Sequence, residues 1–168
     1  MKNKSINFDL LSAQELAYRP NGFACKNLIQ ESESQEYGAC EFELNNKIIK
    51  FRVAKITPTK VGQFVTIWKR IENGPIMPFD LADNIDLFIV SVRNDKNFGQ
   101  FIFPKDVLWQ KGFVSKDGKG GKRAMRVYPP WDITESPQAK RTQAWQLLYF
   151  LDIQPIVDTA RVIRFLNL

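Results

Sequence analysis

The middle of the chain alternates between apolar and polar side chains, which is the pattern of β-strands with one buried face. Cys40, Phe42 and Leu44 share one side of such a stretch, and Glu41 and Glu43 share the other. The stretch DLFIVSVR is instead largely apolar, which favours a central strand. The pattern predicts five strands, over 39–45, 48–57, 62–71, 86–93 and 99–104. A short strand that ends at Tyr128 is predicted after them.

Two helices are predicted before these strands. Phe8, Leu11 and Leu16 have near-helical spacing, which predicts a short helix within 7–19. The turn residues RPNG follow it. A second helix is expected within 23–36, because its acidic end, QESESQE, is typical of the solvent-exposed end of a helix.

A third helix is predicted towards the C-terminus. Ser136 and Pro137 suit the N-cap and the first helical position, and apolar residues continue at helical spacing as far as Leu151. Residues 155–168 fit a helix and a strand equally well. With helices on both sides of about five strands, the sequence predicts one α/β domain, residues 1–168, with helices on both faces of a mixed sheet.

The length and composition agree with a single globular domain. The chain has 168 residues, of which 44% are hydrophobic and 25% charged, and domains commonly contain about 100–200 residues. No apolar run approaches the roughly 20 residues that cross a bilayer, and the apolar stretch after the basic N-terminus is too short for a secretory signal. We therefore expect a cytoplasmic protein with no membrane partner.

Histidine is absent from the sequence. Its absence excludes Ser-His-Asp and Cys-His nucleophiles, histidine-ligated zinc and a histidine general base. Cys25 and Cys40 form neither a CxxC pair nor a metal-binding framework, and Cys40 alternates with apolar residues. We therefore expect two free thiols that contribute to packing.

The charge balance indicates the kind of partner. The chain has 24 Lys and Arg against 18 Asp and Glu, a net charge of +6, which favours a polyanion such as nucleic acid. Aromatic rings that can stack on bases are interleaved with the cations, although Trp68 and Trp109 are expected in the core. In the glycine-rich loop 116–126, backbone N–H groups could approach a phosphate, but the loop lacks a Walker A pattern. The candidate nucleic-acid-binding residues are Lys55, Lys60, Lys69, Arg70, Lys105, Lys122, Arg123, Arg126 and, as a stacking platform, Trp131.

Lys55 occupies an unusual position in the alternating pattern. It is in register with Ile49, Phe51 and Val53, so its side chain is expected to point inwards with them. A buried lysine needs a carboxylate or a cleft, because desolvation of its charge is costly. The alternative is that the strand ends or bulges at Ala54 and leaves Lys55 in solvent.

Six stretches of the sequence resemble the MepB family, over roughly residues 18–150. The resemblance implies a restriction-endonuclease-like fold, which is a three-layer α/β sandwich related to the PD-(D/E)XK nucleases. The stretches are GFACKNLIQESESQEYGACEFELN (22–45), KITPTK (55–60), GQFVTIWKR (62–70), GQFIFPK (99–105), GKRAMRVYPPWD (121–132) and QAWQ (143–146).

The nuclease motif implied by this resemblance is incomplete. The motif needs one acid on a strand and, on the next strand, a second acid two positions before a lysine, and these groups bind Mg²⁺ and orient water. Lys55 stands at the lysine position and Glu36 or Glu43 at the first acid, but Val53 occupies the position of the second acid. A carboxylate from the acidic stretch, Glu33 or Glu36, would have to fill this gap, so an intact two-metal centre is not expected.

Three functions are therefore compared. The first is a protein that binds DNA or RNA on a nuclease-like fold, without efficient cleavage and without a cofactor. The second is a nuclease that depends on Mg²⁺ or Mn²⁺ and uses Glu36, Glu43 and Lys55 in a rearranged site. The third is a small-molecule or protein-interaction module whose basic face is incidental. Of the three, the nucleic-acid-binding protein is favoured, because the basic residues cluster and Val53 leaves the nuclease motif without its second acid.

Overall fold

A computed structural model describes residues 6–167. Helix α1 (Phe8–Ala13) continues directly into a π-helical turn (Gln14–Tyr18) and a 3-10 turn (Arg19–Asn21), and another 3-10 turn covers Gln35–Tyr37. The helices are α1 (Phe8–Ala13), α2 (Lys105–Gln110), α3 (Pro137–Leu147) and α4 (Thr159–Leu166). The strands are β1 (Cys25–Gln30), β2 (Cys40–Leu44), β3 (Lys47–Val53), β4 (Lys55–Ile56), β5 (Gln63–Thr66), β6 (Trp68–Arg70), β7 (Ile76–Pro78), β8 (Leu87–Arg93), β9 (Phe98–Pro104), β10 (Ala124–Val127) and β11 (Phe150–Gln154).

Six strands form one mixed sheet, called the large sheet here, in the order β1-β2-β3-β8-β9-β11. β3 and β8 are parallel, and all the other neighbouring pairs are antiparallel. The hairpin between β2 and β3 turns at Asn45 and Asn46, both with positive φ, which asparagine tolerates better than most residues. The parallel pair requires a crossover connection, and this connection carries the short strands β4 to β7.

Each face of the large sheet has its own hydrophobic core. The first face packs against α1 with its π-helical extension and against α4. The second face packs against β5, β10 and α2, with side chains of α3 at its margin. Among the residues of the first core are Leu10, Phe42, Phe51, Ile89 and Phe165. Among those of the second core are Val65, Phe88, Phe101, Phe103, Met125 and Phe150.

A three-stranded sheet in the order β10-β5-β4, called the small sheet here, lies over the second face. Val65 pairs with Met125, and both are buried in the second core. Lys55 and Arg126 lie on either side of Phe64 in the neighbouring strands. Because paired residues of a sheet point to the same side, these three side chains form one row on the outer face.

The α/β class predicted from the sequence is confirmed, although the large sheet has six strands rather than about five. Two strands of the large sheet, β1 and β11, were not predicted from the pattern, and they lie at its two edges. Within the described residues, the longest helix is α3, with eleven residues, so none has the roughly 20 residues needed to cross a membrane.

The helix predicted within 23–36 is wrong, because this segment forms edge strand β1 and a short 3-10 turn. Asn27 has a φ of 54°, and the pairing with β2 shifts between Lys26 and Ile29. This bulge interrupts the two-residue periodicity by which a strand is recognised in a sequence. The acidic end does not simply face solvent, since Glu31 contacts cations of β3.

The strand predicted over 48–57 is also shorter than expected. β3 ends at Val53, and the N–H of Ala54 donates a hydrogen bond to the carbonyl of Ser91 at 3.0 Å. The chain then leaves the large sheet, and Lys55 begins a strand of the small sheet with its side chain exposed. The inward orientation expected for Lys55 is therefore wrong, because the strand ends before this residue.

Two other predicted boundaries need correction. The helix predicted from Ser136 to Leu151 ends at Leu147, because the chain turns there and Leu151 belongs to β11. The strand predicted over 62–71 divides into β5 and β6, which belong to different sheets. The C-terminal segment, which fitted a helix and a strand equally well, forms helix α4.

Candidate nucleic-acid interface

Most of the excess positive charge lies in one segment, residues 105–126, which we call the basic segment. It begins with α2, continues through the glycine-rich loop and enters β10. It contains seven Lys and Arg but only two Asp, a net charge of +5, whereas the whole chain has +6. The rest of the sequence is therefore almost electrically balanced.

The cations of the basic segment have no carboxylate partners among residues 6–167. Seven ion pairs connect the described residues, and none of them includes a cation of this segment. Three of its lysines lie instead over aromatic rings, an arrangement that leaves their charge available to an anion. These contacts, measured from Nζ to the ring centroid, are Lys116 to Trp109 at 5.2 Å, Lys122 to Phe113 at 5.2 Å and Lys111 to Trp145 at 5.5 Å.

A cleft of about 580 Å³ lies where β10 meets the start of α3, and we call it the basic groove. Lys60, Lys122 and Arg126 line it, and Glu135 is the only acidic residue in its lining. The groove also includes Ser136, whose hydroxyl accepts a hydrogen bond from the third residue of α3. The partial positive charge of a helix N-terminus adds to the field of the three cations.

Arg126 is held in a fixed position at the groove. Its Nη1 donates to the hydroxyl of Thr57 at 2.9 Å and to the carbonyls of Gly62 and Val61 at 3.2 and 3.3 Å. All three acceptors are uncharged, so the guanidinium is oriented without being neutralised. A cation of this kind loses little conformational entropy when it binds a phosphate.

A buried glutamine connects β10 to α3 and so fixes the wall of the groove. The Nε2 of Gln146 donates to the carbonyl of Arg126 at 3.0 Å, and its Oε1 accepts from the N–H of Tyr128 at 2.8 Å. Gln146 is fully buried. Its two hydrogen bonds satisfy the main chain at the point where β10 ends.

A second cleft, of about 370 Å³, adjoins the basic groove and shares Lys60 and Val61 with it. Trp131 and Asp132 line this second cleft. The ring of Trp131 packs edge-to-face on Phe150 with the centroids 5.9 Å apart, so the indole is partly buried. Burial raises the pKa of the Asp132 carboxyl above its ordinary value, while a hydrogen bond with the backbone of Gly62 lowers it.

The structure brings together part of the set of cations predicted from the sequence. Lys60, Lys122 and Arg126 share the basic groove, and Trp131 lies in the adjoining cleft. Lys55 occupies the same outer row of the small sheet as Arg126, and its Nζ lies 4.8 Å from the ring centroid of Tyr37. Arg123 is exposed immediately before β10.

The other three predicted cations contact the protein itself. Lys69 forms an ion pair with Asp83 at 2.6 Å, and Lys105 donates to the main-chain carbonyl of Asp83 at 2.8 Å. Arg70 pairs with Glu33 at 2.7 Å. Their role in binding stays a prediction, and a phosphate would have to compete with these contacts to bind them.

The candidate nuclease residues lie in separate elements. Glu43 is half-buried in β2 of the large sheet, opposite Lys26 and Ile48, whereas Glu36 is exposed in a 3-10 turn and Lys55 is exposed in the small sheet. Among residues 6–167, no three acidic or cysteine side chains are grouped so that they could hold a metal ion. Val53 is the last residue of β3, and its side chain offers no ligand.

The expectation that Trp68 and Trp109 lie in the core is wrong. Trp109 is 37% exposed on α2, and Trp68 is only partly buried, with the guanidinium of Arg70 5.6 Å from its ring centroid.

Both cysteines are free, as expected. Burial raises the pKa of Cys25 and of Cys40 to about 12, which makes them poor nucleophiles.

A group of aliphatic side chains beside these clefts was not predicted from the sequence. Ile56, Val61 and Ile133 lie in the lining of the second cleft, and all three are exposed. Val61 and Ile133 lie in loops and Ile56 ends a strand of two residues, so no periodicity marks them in the sequence. The one signal was their position next to Lys60 and Trp131, which were predicted to bind nucleic acid.

Comparisons with known proteins give one consistent result. A family model described as MepB-like matches residues 31–152. A crystal structure of MepB has 36% sequence identity with this chain and superimposes with a TM-score of 0.74, covering 77% of this chain and 87% of that one. No curated protein matches.

Proposed function

The chain belongs to the MepB-like family, and we propose that it binds nucleic acid through the basic groove and the basic segment around it. The observation that carries this proposal is that seven cations of the basic segment have no carboxylate partner among the described residues. Unpaired cations at this density repel one another, and a chain of phosphates relieves that repulsion.

The arrangement of the groove supports a phosphate backbone as the ligand. Lys60 and Lys122 provide charges on long side chains, whereas Arg126 provides a charge fixed by three uncharged acceptors. Two neighbouring phosphates of one strand can contact such a combination, because guanidinium groups bind phosphate bidentately and lysine contributes a point charge. Binding of this type depends on charge and is strongly weakened by salt.

The proposal includes the fold type, the location and the absence of efficient cleavage. Family membership and the two layers that cover the large sheet support a restriction-endonuclease-like sandwich. The proposed location is the cytoplasm. Val53 at the second acidic position supports a site in which the two-metal chemistry of a nuclease has been lost. The protein would then act by holding nucleic acid and would need no cofactor for it.

The test is fluorescence anisotropy with labelled single- and double-stranded DNA and RNA, titrated with salt and followed by a gel of the same samples. We expect binding whose logarithmic affinity falls linearly with the logarithm of salt concentration, and strands that stay intact in Mg²⁺ and in Mn²⁺. Affinity that does not change between about 50 and 200 mM salt would contradict a charge-based site. Cut strands in the Mn²⁺ samples would instead establish a nuclease with a rearranged site.

A further inference from the structure

Three aliphatic side chains form an exposed patch beside the basic groove, and we call it the apolar rim. Ile133 is 81% exposed, Ile56 is 65% exposed and Val61 is 46% exposed. All three line the cleft that also contains Trp131. Single exposed aliphatic residues are common on protein surfaces, but three that line one cleft together favour contact with a partner.

The apolar rim adjoins the cations of the basic groove. The two clefts share Lys60 and Val61, so one wall carries both a phosphate-binding charge and an aliphatic side chain. A ligand that fits both clefts must therefore carry anionic and apolar groups side by side. Nucleic acid has this chemistry only where the faces of its bases are accessible next to the phosphates.

Hydrogen bonds hold Ile133 in its exposed position. Gln143 of α3 donates from Nε2 to the carbonyls of Pro129 and Asp132, at 2.9 Å in both cases, and its Oε1 accepts from the hydroxyl of Thr134 at 3.0 Å. The residues immediately before and after Ile133 are thus bonded to one side chain. Since the backbone is fixed on both sides, the fold itself presents Ile133 to solvent.

The loop that carries Val61 is anchored in a similar way. Arg126 donates to the carbonyls of Val61 and Gly62. Gly62 has a φ of 85°, and a Cβ at this position would come within 2.7 Å of the ring of Tyr128. The loop therefore lies directly against β10, and its apolar side chain stays close to the basic groove.

We infer that the ligand of this surface is single-stranded nucleic acid, whose phosphates contact the basic groove and whose unstacked bases pack on the apolar rim and the edge of Trp131. This inference rests on the proposed function and adds which form of nucleic acid is bound. In a duplex the base faces are stacked on one another, so the apolar rim would gain no burial against it. On a single strand every base has a free face, and contact with the rim removes apolar surface from water.

The test compares Ile133→Ser with Ile156→Ser, by anisotropy with a single-stranded oligonucleotide and with the duplex of the same sequence. Ile156 is 77% exposed between β11 and α4 and does not line either cleft, so it matches Ile133 in chemistry and exposure. We expect the wild-type protein to prefer the single strand and Ile133→Ser to bind it about tenfold more weakly. Ile156→Ser should bind like the wild type.

The salt dependence identifies the kind of contact that is lost. Ile133→Ser removes no charge, so the slope of affinity against salt should stay the same while the affinity falls at every salt concentration. Ile133→Phe provides an independent variant, and its larger flat side chain should bind the single strand at least as tightly as the wild type. Circular dichroism melting of both variants checks that the fold is intact.

The remaining outcomes separate this inference from the proposed function. Equal affinity of Ile133→Ser and wild type for the single strand, or a wild-type preference for the duplex, would overturn the inference and leave nucleic-acid binding established. Absence of binding to either form at low salt would overturn both proposals. A loss in Ile133→Ser that is equally large for the duplex would also contradict the inference, because the rim would then not be reading exposed bases.

Discussion

Buried Arg52 forms an ion pair with the partly buried Glu31 on the second face of the large sheet. Arg52 is 4% exposed, and its Nη1 donates to the carboxylate of Glu31 and to the carbonyl of Phe51. Lys50 completes the cluster, with its Nζ 2.5 Å from Glu31 and 2.9 Å from Glu41. Because Glu31 directly follows β1, the pair connects the edge of the sheet to its third strand. Burial lowers the pKa of Arg52, and the charge of Glu31 opposes that shift.

We predict that Glu31→Gln destabilises the protein by about 3 kcal/mol, since it leaves a buried guanidinium without a counter-charge. Urea denaturation measures the change. The matched control is Glu33→Gln, which breaks the partly exposed pair with Arg70 and should cost less than about 1 kcal/mol. Adding Arg52→Met to Glu31→Gln should recover much of the loss, because no unpaired charge then remains. Equal losses in the two single variants would contradict the role assigned to burial.

The basic groove leads to a prediction about charge. The double variant Lys60→Gln/Lys122→Gln should weaken binding to every nucleic acid tested, and it should reduce the salt slope by about 1.5, which corresponds to two lost phosphate contacts. Anisotropy titrations at several salt concentrations measure both effects.

The control for this double variant is Lys26→Gln/Arg164→Gln, which makes the same change in net charge at exposed positions of β1 and α4. It should change the slope much less, since neither residue lines either cleft of the candidate interface. If both double variants had the same slope, the net charge of the protein would determine binding, and the groove would have no special role.

The parts of the fold that the sequence predicted are those with strong local patterns. Cys40, Phe42 and Leu44 alternate over the whole of β2, and Ser136 with Pro137 marks the start of α3 correctly. These features depend on residues close together in the chain, where periodicity and capping preferences act.

The features that the sequence did not predict depend on contacts between distant residues. The bulge at Asn27 concealed β1, and the departure of the chain from the large sheet after Val53 reversed the orientation of Lys55. Glu31 was expected to face solvent, because nothing in the neighbouring sequence shows that it contacts Arg52, which lies two strands away in the large sheet. The basic cluster was found from composition, but only the fold shows which cations are paired with carboxylates.

The thiols of the half-buried Cys25 and the buried Cys40 give a prediction about alkaline pH. Burial raises the pKa of Cys25 and Cys40 to about 12 in the folded protein, whereas an unfolded thiol ionises near pH 9. Between pH 9 and 12 the unfolded chain loses these protons and the folded chain keeps them, so the free energy of unfolding should fall as the pH rises through this range. Below pH 9 the thiols are protonated in both states and contribute no pH dependence.

Urea denaturation at pH 7 to 10.5 measures this loss, and Cys40→Ala provides the comparison. The variant should be less stable at neutral pH, because it leaves a small cavity in the first core, but its stability should fall less steeply with rising pH. A reagent that reacts with thiolates should modify the folded wild-type protein slowly at pH 8 and rapidly in urea. Fast reaction of both thiols in the folded protein would contradict their burial.

The loop that carries Ile133 depends on one side chain, and this dependence gives the last prediction. Gln143→Leu removes the hydrogen bonds to Pro129, Asp132 and Thr134 and leaves their polar groups unsatisfied, at a cost of about 1–3 kcal/mol. We expect faster amide hydrogen exchange in residues 129–135, because the loop loses its anchor to α3.

If the apolar rim must be held in place to meet a base, Gln143→Leu should also weaken single-strand binding without changing the salt slope, as Ile133→Ser does. Gln35→Leu replaces the same type of side chain at an exposed position outside the basic segment and both clefts, and it should bind like the wild type. Combining Gln143→Leu with Ile133→Ser should add little to either single effect, because both act on the same contact. Fully additive losses would mean that Gln143 affects binding by some route other than the position of Ile133.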